Sequence, residues 1–189
     1  LRRLISVASE IAEIAYSGPE DVARAIDESE SKIFDVAETN IGDAAQQVRR
    51  AAHALSEFPS TRLIALSPLY RSVPYGPVEQ PDFINAVAAL LTRQSLDAFF
   101  ADMRAVERAL GRTPARERWG PREIDLDLLA FGTEMRHGGE LVLPHAGIPE
   151  RDFVLYPLRD VAADLYIPGL GRVRDLANRV SDRGVQRLA

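Results

Sequence analysis

The sequence contains no cysteine, and this absence excludes several kinds of chemistry. Disulfide bonds, zinc sites built from thiolates and cysteine nucleophiles are all ruled out. A chain without cysteine fits a reducing compartment, and we therefore expect a cytoplasmic protein.

Long hydrophobic runs are missing as well. No apolar stretch approaches the roughly 18 residues of a membrane span. Glu10 and Glu13 interrupt the apolar residues of the first segment, which is unlike a signal peptide. We expect a soluble protein without a membrane partner.

Lysine is almost absent, because Lys32 is the only one in the chain. No GxxxxGK(S/T) loop surrounds it, which argues against a P-loop nucleotide enzyme and against a helicase motor. The formal net charge of -5 argues against a general nucleic-acid surface. Any nucleotide phosphates would therefore have to be held by arginine, histidine and a metal ion.

Hydrophobic periodicity divides the chain into two predicted parts. In residues 1–37, apolar residues recur at helical spacing on both sides of an SGP turn, which predicts a helical hairpin or linker-like arm. Such an arm is typical of packing or self-association, because apolar helical stripes are mostly buried. Residues 38–189 form the second predicted domain.

The second part predicts an α+β domain. Helices are expected at 44–58 and 96–110 and from residue 173, strands in RLIALSPLYRS, DFINAVAALLT, IDLDLLAF and ELVLPH, and a strand or helix entry in RDFVLYPLRDVA. This order suggests a ferredoxin-like layer of helices on a mainly antiparallel sheet. That arrangement needs a strand before the first helix, for which KIFDVAE is the candidate. The same residues could instead complete the helical hairpin, and periodicity leaves both readings open.

Two aspartates lie inside the strand predicted for IDLDLLAF. Residues two apart in a strand project to one face, so Asp125 and Asp127 present their carboxylates side by side. Oxygen ligands of this kind suit Mg²⁺, which commonly takes one or two carboxylates and completes its shell with water and substrate phosphates. The alternative is an edge strand with a solvated acidic face.

Basic residues crowd the neighbourhood of these aspartates. Arg112, Arg116, Arg118 and Arg122 precede the strand, and His145 and Arg151 follow the next one. Guanidinium groups suit phosphate oxygens. Carboxylates beside several arginines therefore indicate phosphoryl transfer, which depends on positioning and charge neutralisation.

Aromatic and amide side chains lie upstream, in the loop SVPYGPVEQPDFIN. Tyr75, Phe83 and Asn85 are close in sequence there. Aromatic rings can enclose a flat heterocycle, and an amide can pair with its donors and acceptors. Core packing of Phe83 and a turn role for Asn85 are the alternatives.

From about residue 39 onward, the chain resembles the 6-hydroxymethyl-7,8-dihydropterin pyrophosphokinase family. The resemblance is carried by RWGPREIDLDLL, supported by SPLYRS, EQPDFINAV, ERALGR and LVLPH with RDFVLYPL. It implies a ferredoxin-like fold and transfer of diphosphate from MgATP to the hydroxymethyl group of the pterin, with release of AMP.

The same resemblance implies roles for individual residues. Asp125 and Asp127 would bind two Mg²⁺ ions and, with Arg112 and Arg122, would be catalytic. The ATP-binding residues would be Glu107, Arg112, Arg118, Trp119, Arg122, His145 and Arg151, with Arg118 and Trp119 on a loop that closes the site. The pterin-binding residues would be Ser72, Tyr75, Phe83, Asn85 and Phe153.

Two features depart from this family. Glu38 and Thr39 stand where the family has a glycine and a serine, and a glutamate would obstruct the close approach that glycine permits. Pro114 stands where another loop arginine is common, and Arg116 could substitute for it. Residues 1–38 instead resemble the segment that joins the two domains of DnaB-type replicative helicases, which suggests a natural or engineered fusion.

Two functions follow from these observations. The first is the pterin pyrophosphokinase of folate biosynthesis, with ATP and a hydroxymethyl dihydropterin as partners. The second is a catalytically impaired binding or assembly module in which the helical arm mediates self-association.

Overall fold

The structure is a computed structural model, and it describes residues 31–74, 77–113 and 120–188. Several predictions lie outside these residues. They are the helical hairpin as far as residue 30, the pocket residue Tyr75, and the loop residues Arg118 and Trp119.

An antiparallel sheet forms the centre of the described chain. Its strands are β1 (Ser31–Thr39), β2 (Thr61–Leu66), β3 (Tyr70–Ser72), β4 (Phe83–Thr92), β5 (Asp125–Phe131) and β8 (Gln186–Arg187). The order across the sheet is β5-β1-β4-β3-β8, and β2 pairs with β4 beside β3. Two short strands, β6 (Tyr166–Ile167) and β7 (Gly171–Arg172), form a separate hairpin.

Helices cover both faces of this sheet. They are α1 (Ala44–Ser56), α2 (Leu96–Ala109), α3 (Asp152–Ala162) and α4 (Val173–Ala177), and a short 3-10 turn (Ile148–Glu150) precedes α3. Asp43 and Ser95 begin α1 and α2 as N-caps, because their side chains accept hydrogen bonds from backbone amides three residues later. The predicted order of helices and strands through β5 is confirmed, except that RLIALSPLYRS forms two strands, β2 and β3.

The open question about KIFDVAE is settled, because residues 31–39 form the central strand β1. Ile33 and Ala37 face the core under α1 and α2, whereas Phe34 and Val36 face the core under α3. A strand buried on both faces reads as a continuous apolar run, which periodicity cannot tell from a buried helix. The domain boundary predicted after residue 37 cuts this strand, and residues 31–37 belong to the sheet.

Three segments after β5 differ from the sequence expectations or decide between them. RDFVLYPLRDVA is helix α3, which packs with α4 against the face of the sheet opposite α1 and α2. The helix expected from residue 173 ends at Ala177, and a turn and an irregular segment then lead to β8. ELVLPH contributes one isolated bridge, between Arg136 and Leu143, instead of a strand. Within the described ranges, no helix is long and apolar enough to cross a membrane.

Candidate active site

The two aspartates of β5 lie on one face of the sheet, as the alternation predicts. Ile124, Leu126 and Leu128 pack on the other face, in the core under α1 and α2. Asp125 is buried, whereas Asp127 is partly exposed in a cavity. The strand therefore delivers both carboxylates to the same place.

Asp125 is held by two arginines. Arg122 Nη1 donates to Asp125 Oδ2, and Arg112 Nη1 lies 2.8 Å from Asp125 Oδ1. Despite that ion pair, Oδ1 accepts no hydrogen bond of good geometry from any described residue. A buried carboxylate oxygen left in this way is a suitable ligand for a cation.

Glu107 on α2 fixes one of these arginines from behind. Its Oε1 accepts a hydrogen bond from the Leu126 backbone at 2.9 Å and pairs with Arg112, and its Oε2 lies 2.6 Å from Arg104 Nη1. Glu107 is buried and does not line the cavity. It is therefore placed to position Arg112.

Asp127 faces a second basic pair. His145 Nε2 and Arg151 Nη1 lie 3.8 and 3.7 Å from Asp127 Oδ2, which is beyond hydrogen-bond contact. Gly147 donates its backbone N–H to His145 Nδ1 at 3.1 Å, so a neutral His145 carries its proton on Nε2, toward Asp127. Burial lowers the pKa of His145, and the opposing effect of Asp127 is smaller.

Aromatic side chains also line the cavity. They are Phe83, at the start of β4, and Phe153, at the start of α3, and Ser72 lines it with them. Arg151 lies with its guanidinium carbon 5.7 Å from the centroid of the Phe153 ring. The cavity therefore offers two rings to a flat ligand, one of them next to the basic pair that faces Asp127.

Asn85 lies behind these rings and is fully buried. Its Nδ2 donates to Ser72 Oγ at 2.9 Å and to the Tyr70 carbonyl at 3.3 Å. Its Oδ1 has no hydrogen-bond partner among the residues that the structure describes. The amide is thus held in place with one acceptor to spare.

One cavity of about 280 Å³ contains both groups of residues. Its lining comprises Glu38, Ser72, Val73, Phe83, Arg112, Gly120, Arg122, Asp125, Asp127, His145, Arg151 and Phe153. Most of the residues singled out from the sequence are therefore brought together. Of the others that are described, Glu107 and Asn85 lie just behind the lining.

Sequence reasoning missed the contacts made by the turn that follows β1. The Asn40 side chain donates to Gln80 Oε1 (2.8 Å) and the Pro81 carbonyl (3.1 Å), and it accepts from the Arg122 backbone N–H (2.9 Å). The Thr39 hydroxyl lies 2.8 Å from the Glu123 carbonyl. These contacts fix the backbone of Arg122, and the only sequence signal for them is an asparagine directly after a strand.

Glu38 is the one acidic residue of the lining that lies on β1. In the sheet register it sits between Asn85 on β4 and Asp125 on β5. Burial raises the pKa of Glu38 to about 7, Asp127 adds to this, and Arg151, Arg122 and Arg112 oppose it. Its carboxylate is therefore less easily ionised than an ordinary glutamate.

The carboxylates fit a divalent ion that draws part of its shell from a substrate. Among the described residues, no group of three or more His, Cys, Asp or Glu side chains is arranged to hold a metal. Asp125 and Asp127 could provide two carboxylates, which is the usual protein share of a Mg²⁺ site. Such a site, ringed by arginines, is typical of enzymes that transfer phosphoryl groups from a metal-bound nucleotide.

Comparison with known proteins identifies the family. The model of the 7,8-dihydro-6-hydroxymethylpterin-pyrophosphokinase (HPPK) family matches residues 38–163, and the chain belongs to this family. The chain is 40% identical over 150 residues to the 2-amino-4-hydroxy-6-hydroxymethyldihydropteridine pyrophosphokinase of Pseudomonas aeruginosa, covering 79% of this chain and 92% of the relative. The enzyme of the same name from Methylorubrum extorquens is 39% identical, with 79% and 94% covered.

Solved structures support the fold. A crystal structure of Plasmodium falciparum HPPK-DHPS with pteroate superposes with a TM-score of 0.63 at 14% identity. The match covers 79% of this chain and 42% of the Plasmodium chain, so the protein corresponds to less than half of that longer protein. The likeness confirms the mixed α/β fold with an antiparallel sheet.

Proposed function

We propose that this protein transfers the diphosphate of ATP, with Mg²⁺, to the hydroxyl of 6-hydroxymethyl-7,8-dihydropterin, a step of folate biosynthesis that releases AMP. One observation carries the proposal. One cavity is lined by Asp125 and Asp127, by four basic side chains and by two phenylalanine rings. A phosphate donor and a flat acceptor can therefore meet in one site.

The nucleotide half is built from the basic residues. Arg112, Arg122, His145 and Arg151 would bind the phosphates, and Asp125 and Asp127 would hold two Mg²⁺ ions. Mg²⁺ bound there would neutralise the phosphate charge that develops during transfer. The proposed roles of Arg118 and Trp119 in closing the site belong to the same half.

The positions of these arginines are already fixed by carboxylates. Glu107 and Asp125 hold Arg112, and Asp125 also holds Arg122. Because phosphoryl transfer relies on charges placed in advance, an arginine fixed in this way contributes more than a mobile one. A neutral His145 would donate from Nε2 to a phosphate oxygen.

The acceptor half is built from Phe83, Phe153, Asn85 and Ser72, with Tyr75 proposed beside them. The two rings would enclose the heterocycle, as flat ligands require. Asn85 Oδ1 is buried and unpaired by the described residues, so it is placed to accept from a ring N–H or amino group.

Titration calorimetry with a non-hydrolysable ATP analogue and Mg²⁺, followed by 6-hydroxymethylpterin, tests the proposal. We expect Mg²⁺-dependent nucleotide binding, and acceptor binding only when the nucleotide is present. Asp125→Asn should weaken nucleotide binding at least about tenfold, because one charged ligand of the ion is lost. The matched control is Asp97→Asn, which changes an exposed aspartate outside the cavity. Unaltered Mg²⁺-dependent binding by Asp125→Asn would contradict the proposal.

Self-association through the N-terminal segment and the fusion with a DnaB-like linker stay predictions, as do the cytoplasmic location and the absence of a nucleic-acid partner. Deleting residues 1–30 keeps all of β1, which begins at Ser31. The molar mass measured by light scattering before and after this deletion tests the arm. An unchanged oligomeric state would remove the case for the assembly module.

A further inference from the structure

We propose that Glu38 determines which acceptor the site admits and that its carboxylate disfavours the neutral heterocycle assigned to the aromatic half. The inference rests on the proposed function and concerns the same cavity. It starts from the position of Glu38 in the sheet.

Glu38 stands in a row of side chains that crosses three strands on one face. Asn85 on β4 pairs with Glu38, and Glu38 pairs with Asp125 on β5. Residues directly opposite in an antiparallel sheet point to the same face with their Cβ atoms about 5 Å apart. Two strand spacings, about 10 Å, therefore separate Asn85 from Asp125, and Glu38 lies between them.

This row is the path that the acceptor must span. A heterocycle held against Phe83 lies beside Asn85, which follows two residues later on the same face of β4, and its hydroxyl must reach the phosphates at Asp125. Glu38 lines the same cavity. The Glu38 side chain therefore occupies part of the cavity surface that the hydroxymethyl group of the acceptor must cross to reach the phosphates.

The carboxylate is also poorly compensated for its position. Burial and the Asp127 carboxylate disfavour its charge, and Arg151 is the first of the arginines that oppose them. The other two, Arg112 and Arg122, are already engaged by Asp125. A neutral acceptor laid over Glu38 would remove water from this carboxylate without offering a counter-charge. Glu38 therefore weakens the binding of the acceptor more than the binding of the nucleotide.

Two substitutions separate volume from charge. Glu38→Gly removes the side chain, and Glu38→Gln keeps nearly the same volume and removes the charge. The control is Glu134→Gln, at an exposed position outside the lining of the cavity. Thermal unfolding of each variant shows that β1 is intact, and Glu38→Gln remains informative should the glycine weaken the strand.

The readout is the Kd of 6-hydroxymethylpterin in the presence of Mg²⁺ and a saturating ATP analogue. We expect a decrease of at least about tenfold for Glu38→Gly and a smaller decrease for Glu38→Gln. The Kd of the nucleotide should change by less than that of the acceptor, and the control should change neither.

The outcomes distinguish a failure of the proposed role of Glu38 from a failure of the proposed function. Weaker or unchanged acceptor binding in both Glu38 variants, with nucleotide binding intact, would overturn the role of Glu38 and leave the pyrophosphokinase assignment standing. Absence of Mg²⁺-dependent nucleotide binding from the parent and both variants would overturn the proposed function, and this inference with it.

Discussion

Replacing Asp35 by valine should stabilise the protein, because Asp35 is a carboxyl group buried in the interior strand β1 without a partner among the described residues. It is fully buried on the face of β1 that carries Ile33 and Ala37. Neither of its oxygens has a hydrogen-bond partner among the described residues. Burial raises its pKa well above the ordinary value, the Asp127 and Glu107 carboxylates add to this, and Arg104 opposes it.

The expected gain has a constant part and a pH-dependent part. An unsatisfied buried polar group destabilises a protein by about 1–3 kcal/mol, and burying a valine side chain contributes about 1.5 kcal/mol or more. A gain of at least about 2 kcal/mol in the free energy of unfolding follows, which is about 4–8 °C in Tm for a chain of this size.

The pH-dependent part follows from the raised pKa. An unfolded aspartate titrates near pH 4, so below that pH the group is protonated in both states and adds no further difference. As the pH rises toward the pKa of the folded state, only the unfolded chain loses its proton, and the protein loses up to about 1.4 kcal/mol of stability per pH unit. Asp35→Val removes this loss, so the variant should gain more at pH 7.5 than at pH 5.

Urea unfolding of the parent and Asp35→Val at both pH values measures these quantities. Asp82→Val is the control, because Asp82 is exposed just before β4 and its replacement should change stability by no more than about 0.5 kcal/mol. Equal stability of the parent and Asp35→Val, or a gain no larger at pH 7.5 than at pH 5, would refute the reasoning.

Two further predictions concern residues that position the basic side chains. Glu107→Gln keeps an acceptor for the backbone of β5 but removes the charge that holds Arg112. Calorimetry should therefore show nucleotide binding weakened by about 1–3 kcal/mol, while circular dichroism shows that the sheet is still folded. Nucleotide binding equal to that of the parent would show that Arg112 needs no support from Glu107. Gly147→Ala places a Cβ 2.6 Å from Arg151 Nε, so Arg151 must move and nucleotide affinity should fall several-fold. A Gly147→Ala variant with parental affinity would remove Arg151 from the phosphate site.

The sequence predicts those parts of the structure that depend on local pattern. Alternation places Asp125 and Asp127 on one face of β5, and helical spacing predicts α1 and α2 within two residues at their ends. These signals survive because each element has one buried face and one polar face. The period of the pattern then reports the geometry directly.

Elements buried on both sides gave weaker signals. β1 lies at the centre of the sheet and carries apolar residues on both faces, so its pattern fits a strand and a buried helix equally well. α3 contains Pro157, which normally argues against a helix interior. In both cases the choice is made by packing against distant parts of the chain.

The site itself depends on contacts that no local pattern contains. Glu107 joins α2 to β5 by accepting a hydrogen bond from the backbone of Leu126, 19 residues away in the chain, and Asn40 holds the backbone of Arg122 across 82 residues of chain. The motifs supply the residue types, and the fold supplies the pairings. The sequence predicts that Glu38 obstructs the site only because a glutamate replaces the glycine of the family pattern. The sheet register then places Glu38 between Asn85 and Asp125.

The position of β5 at the edge of the sheet has a consequence for solubility. An edge strand offers unpaired N–H and C=O groups that can recruit a strand from another molecule. Here the outward N–H of Leu126 donates to Glu107 and the carbonyl of Leu129 accepts from the backbone of His145. The contacts that place Glu107 and His145 beside β5 thus also close this edge against intermolecular pairing, so loss of the Glu107 side chain should favour aggregation.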